Sequence, residues 1–172
     1  ILSASLDGRL IIRERASDDR WSPGEPKQMP GNIWSSFCVL PSSDRILIGG
    51  GQRGSGGIGS LSLVDVKTQQ VLDVVSLDAK VRKGTPHPTK PFVMVPLING
   101  EVVRCDIRND KLEVTPVVLD LPESLDSEKD TLSAGRIVYV PSLQRFYVGM
   151  MLLGKSRIGR GAVALIDEEG RT

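Results

Sequence analysis

Along most of the chain apolar and polar residues alternate, and Gly, Pro, Asn and Asp break the alternation at intervals. Leu61–Val66 shows the pattern plainly, reading Leu, Ser, Leu, Val, Asp, Val, close to the period of a strand with one face against a core. Four segments repeat one grammar: a short strand, a Gly-containing turn, a second strand ending in an acidic residue, then polar turn residues. They are Ile1–Ala16, Arg45–Thr68, Phe92–Asp110 and Arg145–Gly170. The acidic residue sets the register. Glu14, Asp65, Asp106 and Asp167 recur at intervals of about 40 to 60 residues, near the length of a four-stranded repeat unit. Pro41, Pro88 and Pro141 form a second marker, each following a short run just before one of the last three repeats.

The second repeat predicts strands over Trp34–Leu40, Arg45–Gly49, Leu61–Val66 and Val71–Leu77, with Pro41–Asp44 as a turn whose side chains bond their own backbone. In the third, Phe92–Leu97 and Glu101–Ile107 flank Asn99-Gly100, a strong hairpin signal. Leu112–Leu119 closes that unit, and Pro96 ends or bulges its strand because it lacks a ladder donor. Gly135–Val140, Arg145–Met151 and Ala162–Ile166 are the strands of the fourth repeat, while Ile1–Ser5 and Arg9–Arg15 flank Asp7-Gly8 in the first. Ala16–Asn32 reads as a long loop with one short strand, and Asp120–Ser133 has room for one helical turn begun at Ser124 or Ser127. Elsewhere Gly or Pro interrupts every helical window.

ILSASLDGRLIIRE, with its Ser-Leu-Asp-Gly turn, and FCVLPSSDRILIGG followed by LSLVDV resemble strands of the WD40-like β-propeller repeat family. The family's Gly-His dipeptide is absent, and no Trp precedes Glu14, Asp65, Asp106 or Asp167, so other propeller families fit the same pattern. The resemblance implies an all-β fold of four-stranded antiparallel blades stacked around an axis. The chain opens on a second strand and closes after a third, which implies two complete and two partial blades of a larger propeller. The blade boundaries fall near 1–32, 33–79, 80–133 and 134–172.

Composition adds little to this reading. The 172 residues are 40% hydrophobic and 25% charged with a net charge of +1, ordinary for one globular domain and without pull toward nucleic acid or anionic membrane. No apolar run approaches the roughly 20 residues that span a bilayer. Cys38 and Cys105 sit in apolar strands and read as buried thiols rather than a disulfide framework. Together with the absence of an N-glycosylation acceptor, they point to an intracellular, cytoplasmic or nuclear, home.

Two motifs imitate nucleotide sites. Gly149–Ser156 matches the phosphate-binding P-loop, and Gly54–Gly59 matches the dinucleotide fingerprint. Both chemistries need a helix N-terminus directly after the glycines, whereas Arg157-Ile158-Gly159-Arg160-Gly161 and LSLVDV do not continue as helices. Each is expected to be a strand with a hairpin loop, and no cofactor is expected. His87, the only histidine, lies between two prolines and reads as a turn residue. The repeated acidic residues read as acceptors for nearby turn N–H groups.

Candidate partner contacts are therefore few. Lys155, Arg157 and Arg160 make one basic loop, and Arg53 sits in another. Trp34 reads as core and Trp21 as an exposed contact. The leading expectation is a non-catalytic, protein-binding scaffold within a larger protein or assembly. One alternative is a propeller enzyme, lactonase- or hydrolase-like, with a central-channel site completed by further blades. Another is nucleic-acid or anion binding through the Arg and Lys loops.

Overall fold

A computed structural model describes residues 2–4, 9–13, 15–22, 24–29, 32–41, 43–51, 58–120, 131–153 and 160–172. Within them lie fourteen strands, no helix, and hence no helix long and apolar enough to cross a membrane. The strands form four antiparallel sheets. The first holds β1 (Leu2–Ala4), β2 (Arg9–Ile12) and β3 (Pro26–Gln28); the second holds β4 (Asn32–Val39), β5 (Arg45–Gly51), β6 (Gly59–Asp65) and β7 (Val71–Leu77). The third runs from β8 (Thr85–Pro86) through β9 (Phe92–Pro96) and β10 (Val102–Arg108) to β11 (Lys111–Val117). The fourth contains β12 (Thr131–Val140), β13 (Arg145–Leu153) and β14 (Arg160–Ile166). Two complete and two partial four-stranded units result, as the repeat implies.

Every pairing joins strands adjacent in sequence, so each sheet is a meander. The short strand β8 touches both β4 and β12, which places the first strands of successive sheets side by side. Alternation along each strand then serves two neighbours at once. Ile46 and Ile48 of β5 pack with Leu10 and Met29 of the first sheet, while Leu47 between them faces the third. On β9, Val93 and Val95 face the second sheet, and Phe92 and Met94 face the fourth, against Phe146, Val148 and Ile166. The core is thus three layers between four sheets, with Leu63, Val93 and Phe146 completely buried. Each such side chain contributes roughly 1.5–3 kcal/mol relative to exposure.

Local details follow residue chemistry. β9 stops at Pro96, as its missing donor requires. The turn after it differs from a two-residue hairpin on Asn99-Gly100. Leu97 N–H donates to Glu101 C=O at 2.8 Å, and Gly100 N–H donates to Leu97 C=O at 3.2 Å. Ile98, Asn99 and Gly100 therefore form a three-residue loop, with Gly100 at φ +92° in the position that needs a left-handed residue. The Asp7-Gly8 turn lies outside the described residues, although β1 and β2 pair antiparallel on either side of it. The long first loop contains β3, and its Trp21 bridges back to Arg15 just before it. β12 begins at Thr131, earlier than Gly135, with a register irregularity between Ala134 and Ile137. The helical turn considered at Ser124 or Ser127 falls outside the described residues.

Candidate functional site

Strands β6, β10 and β14, the third of their units, carry the register residues at or near their C-terminal ends: Asp65 closes β6, Asp106 lies two residues before the end of β10, and Asp167 directly follows β14. Asp65 accepts the Thr68 N–H at 2.8 Å, and Asp167 accepts the N–H groups of Glu169 at 3.0 Å and Arg171 at 2.8 Å. Both do what the turn reading expects. Asp106 departs from it, because its carboxylate takes a bidentate pair from Arg104 at 2.8 and 2.7 Å instead. Glu14 lies outside the described residues.

A polar network joins the third sheet to the fourth. His87 is buried and held in its turn, where Nδ1 accepts the N–H groups of Lys90 at 2.9 Å and Thr89 at 3.2 Å. With Nδ1 accepting, the ring proton sits on Nε2, which donates to Glu168 Oε1 at 2.7 Å. The Tyr139 hydroxyl donates to the same oxygen at 2.8 Å, and Lys90 Nζ pairs with the other oxygen. Arg104 donates to the Glu168 backbone carbonyl and stacks over Phe92 at 4.1 Å. Lys90 first, then His87 and Tyr139, hold the Glu168 carboxyl down at about 2. Beneath it, His87 meets Phe92 at 4.9 Å and Tyr139 at 4.8 Å, and Tyr139 meets Phe146 at 4.8 Å. Of three Phe, two Tyr and two Trp in the chain, two Phe and one Tyr gather here with its sole histidine. Sequence reasoning placed His87 in a turn but overlooked Glu168; the signal was its position directly after the register residue Asp167.

Similar charge contacts bridge the second and third sheets. Arg45 reaches both Asp65 of its own sheet and, at 2.9 Å, Asp110 of the next. Arg45 accordingly lowers the Asp110 carboxyl. Asp73 of β7 accepts the Leu112 N–H at 2.8 Å and pairs with Lys111 at 3.1 Å; the Leu112 bond is the main cause that lowers its pKa. Cys38 and Cys105 are buried free thiols, pushed up to about 12 chiefly by burial. Thiols so raised are poor nucleophiles.

Among the described residues, two wide clefts lie between the second and third sheets. One of about 480 Å³ lies at the edge carrying Arg45 and Asp110, with Leu40, Pro41, Lys90 and Ile107 in its walls. The other, about 470 Å³, lies at the opposite edge between the outer strands β7 and β11.

The five candidate contacts divide. Trp21 is 45% exposed, beneath the Arg15 guanidinium at 6.0 Å from the ring centroid. Arg53, Lys155 and Arg157 lie outside the described residues, and Arg160 opens β14. The described strand ends that flank the undescribed segments 52–57 and 154–159, Gly51 and Gly59 in the second sheet and Leu153 and Arg160 in the fourth, stand at the same edge of their sheets. Lys27 on β3 bonds the Gln69 carbonyl in the β6–β7 turn, which puts Trp21 toward the opposite edge. The P-loop-like segment runs through Gly149–Leu153 inside β13, and Leu152 pairs with Arg160 on antiparallel β14. Residues 154–159 lie outside the described residues, but β14 returns antiparallel to β13, whereas the strand–helix unit of a phosphate cradle leads to a parallel strand.

No protein-family model matches this chain. Nor does any curated protein match it by sequence. Solved structures do. Over 98% of its length the chain is similar to the Cps50 (Swd1) β-propeller domain of Myceliophteria thermophila, with a TM-score of 0.60 and 19% identity. It is also similar to a protein from Lactobacillus plantarum, over 94% of its length with a TM-score of 0.61 and 13% identity. A third likeness is to the dihydro-heme d1 dehydrogenase NirN, over 96% at a TM-score of 0.55 and 12% identity. The chain spans 48%, 52% and 37% of those three structures. Four stacked antiparallel meanders, alternating between two neighbours and matching solved propellers along nearly the whole chain, make this a β-propeller segment of two complete and two partial blades.

Proposed function

We propose that this segment is a non-catalytic scaffold, a rigid platform of blades that binds other proteins within a larger protein or assembly. One observation carries the reading: the charged groups at the blade junctions are spent on joining blades. Glu168, Arg104 and His87 tie the third blade to the fourth, and Arg45, Asp73 and Asp110 tie the second to the third. Stiff stacked sheets of this kind present variable loops and inter-blade clefts at fixed positions, which suits recognition. The likeness to the Cps50 (Swd1) domain fits it. The likeness to a dehydrogenase shows that the fold also carries enzymes, so the enzyme reading is the one to test against.

Under this proposal the blade boundaries fall near residues 33, 80 and 134, the compartment is the cytoplasm or nucleus, and Arg53, Lys155, Arg157 and Arg160 form one contact edge with Trp21 toward the other. Crosslinking mass spectrometry on the protein in native extracts tests the reading. We expect a defined partner crosslinked to these loops or the inter-blade clefts. Turnover of ester, lactone or redox substrates that co-purifies with the protein and survives removal of every partner would overturn it.

A further inference from the structure

The second and third blades are clamped at one end of their outer strands and open at the other. Asp73 of β7 forms the clamp through the Leu112 N–H and Lys111 of β11. From there β7 and β11 run in the same sense, and the space between them widens into the cleft of about 470 Å³. That volume lies within the range of ligand sites, roughly 300–1,000 Å³. Its walls are aliphatic: Val75 and Leu77 on one side, Val103 and Val114 on the other, with Leu97 between. The charged residues lining it are Asp78 and Glu101, both exposed carboxylates, and no Lys or Arg lines it among the described residues.

We infer that this wedge docks a short extended segment of a partner protein that carries aliphatic side chains at alternate positions and a Lys or Arg beside them. The inference rests on the scaffold reading and names the partner's chemistry. Apolar walls on two strands select aliphatic side chains, and an extended chain offers one to the wedge every second residue, about 7 Å apart. A helix of about 10–12 Å diameter does not enter between sheets packed about 10 Å apart. The two carboxylates at the mouth attract a cation and repel phosphate backbones, which excludes nucleic acid from this site. Pro116, also in the lining, contributes no N–H to β11. Adding a strand to that edge is therefore disfavoured, and affinity comes from side chains entering the wedge.

Fluorescence anisotropy with the full chain provides the test. The probe is a short fluorescein-labelled peptide alternating leucine with serine and ending in two arginines. We expect saturable binding that weakens about tenfold in the Asp78→Lys/Glu101→Lys double variant, from about 0.7 kcal/mol for each of the two exposed charge contacts. Val75→Trp, which fills the wedge from its half-buried wall on β7, should abolish binding, while retained cooperative thermal unfolding shows that the fold persists. A peptide with glutamates in place of the arginines should bind the wild type more weakly and the double variant more strongly. Equal affinity for the two peptides, or indifference to both variants, overturns the wedge as a docking site. Native-extract crosslinks that land only on the loops or the opposite cleft overturn it too, yet leave the scaffold reading standing.

Discussion

Glu168 receives hydrogen bonds from His87 and Lys90 of one blade and Tyr139 of the next, so its ionisation is linked to the blade junction. Its carboxyl titrates at about 2 in the folded chain against an ordinary 4.5. A depressed folded-state pKa stabilises the fold fully above the ordinary value, and that contribution fades as pH falls from about 4.5 to about 2. Glu168→Gln keeps the shape and removes the charge. Its thermal midpoint should lie clearly below wild type at neutral pH, and the gap should close as pH falls through this window. A gap independent of pH between neutrality and pH 2 would show that the carboxylate charge does not contribute.

At the scale of the element, strands are joined where backbones can approach. Gly59 opens β6, and a Cβ placed on it would stand 2.0 Å from the Ala79 carbonyl oxygen and 3.0 Å from its carbon. That carbonyl belongs to the segment that carries the chain from β7 toward β8, so it is backbone and cannot rotate away. Gly59→Ala should therefore lower stability by about 1–3 kcal/mol, the usual cost of overpacking, measured by chemical denaturation. Gly161 on β14 is the control. Its Cβ would meet only Met150 O at 3.8 Å, and Gly161→Ala should leave the midpoint unchanged or raise it slightly. Equal losses at both positions would mean that strand propensity, not close approach, governs the effect.

Across the whole molecule, one apolar face of the fourth blade is left uncovered by the described residues. Phe146, Val148 and Met150 of β13 face the third blade. On the opposite face Val138 pairs with Tyr147, which pairs with Leu165, and Val163 lies opposite Gly149. Val138, Met151 and Val163 are at least half exposed and Leu165 is 39% exposed. Contiguous apolar surface of this kind marks an interaction face, and the same pleat packs against a neighbouring sheet at every other junction in the chain. The chain should accordingly self-associate at micromolar concentration. Replacing Val138, Val163 and Leu165 together by Thr should shift sedimentation velocity toward monomer without lowering the thermal midpoint. A wild-type chain that is already monomeric and monodisperse would remove the case for a sheet partner on this face.

Sequence alone was sufficient for whatever depends on neighbours along the chain. Alternation in Leu61–Val66, the stop at Pro96, the left-handed glycine after Asn99 and the strand rather than helix that follows Gly54–Gly59 are local consequences of sterics and backbone donors. So is the repeat, because a meander is built from adjacent segments. Which face of each strand meets which blade was not legible, since Leu47 and Ile48 are equally apolar and only stacking sends them to opposite neighbours. The pairing of His87 with Glu168, far apart in sequence, and the emptiness of the wedge beyond Asp73 belong to tertiary structure for the same reason. They depend on the angle and spacing between sheets, which no local pattern encodes, and the chemistry available to a partner is decided there.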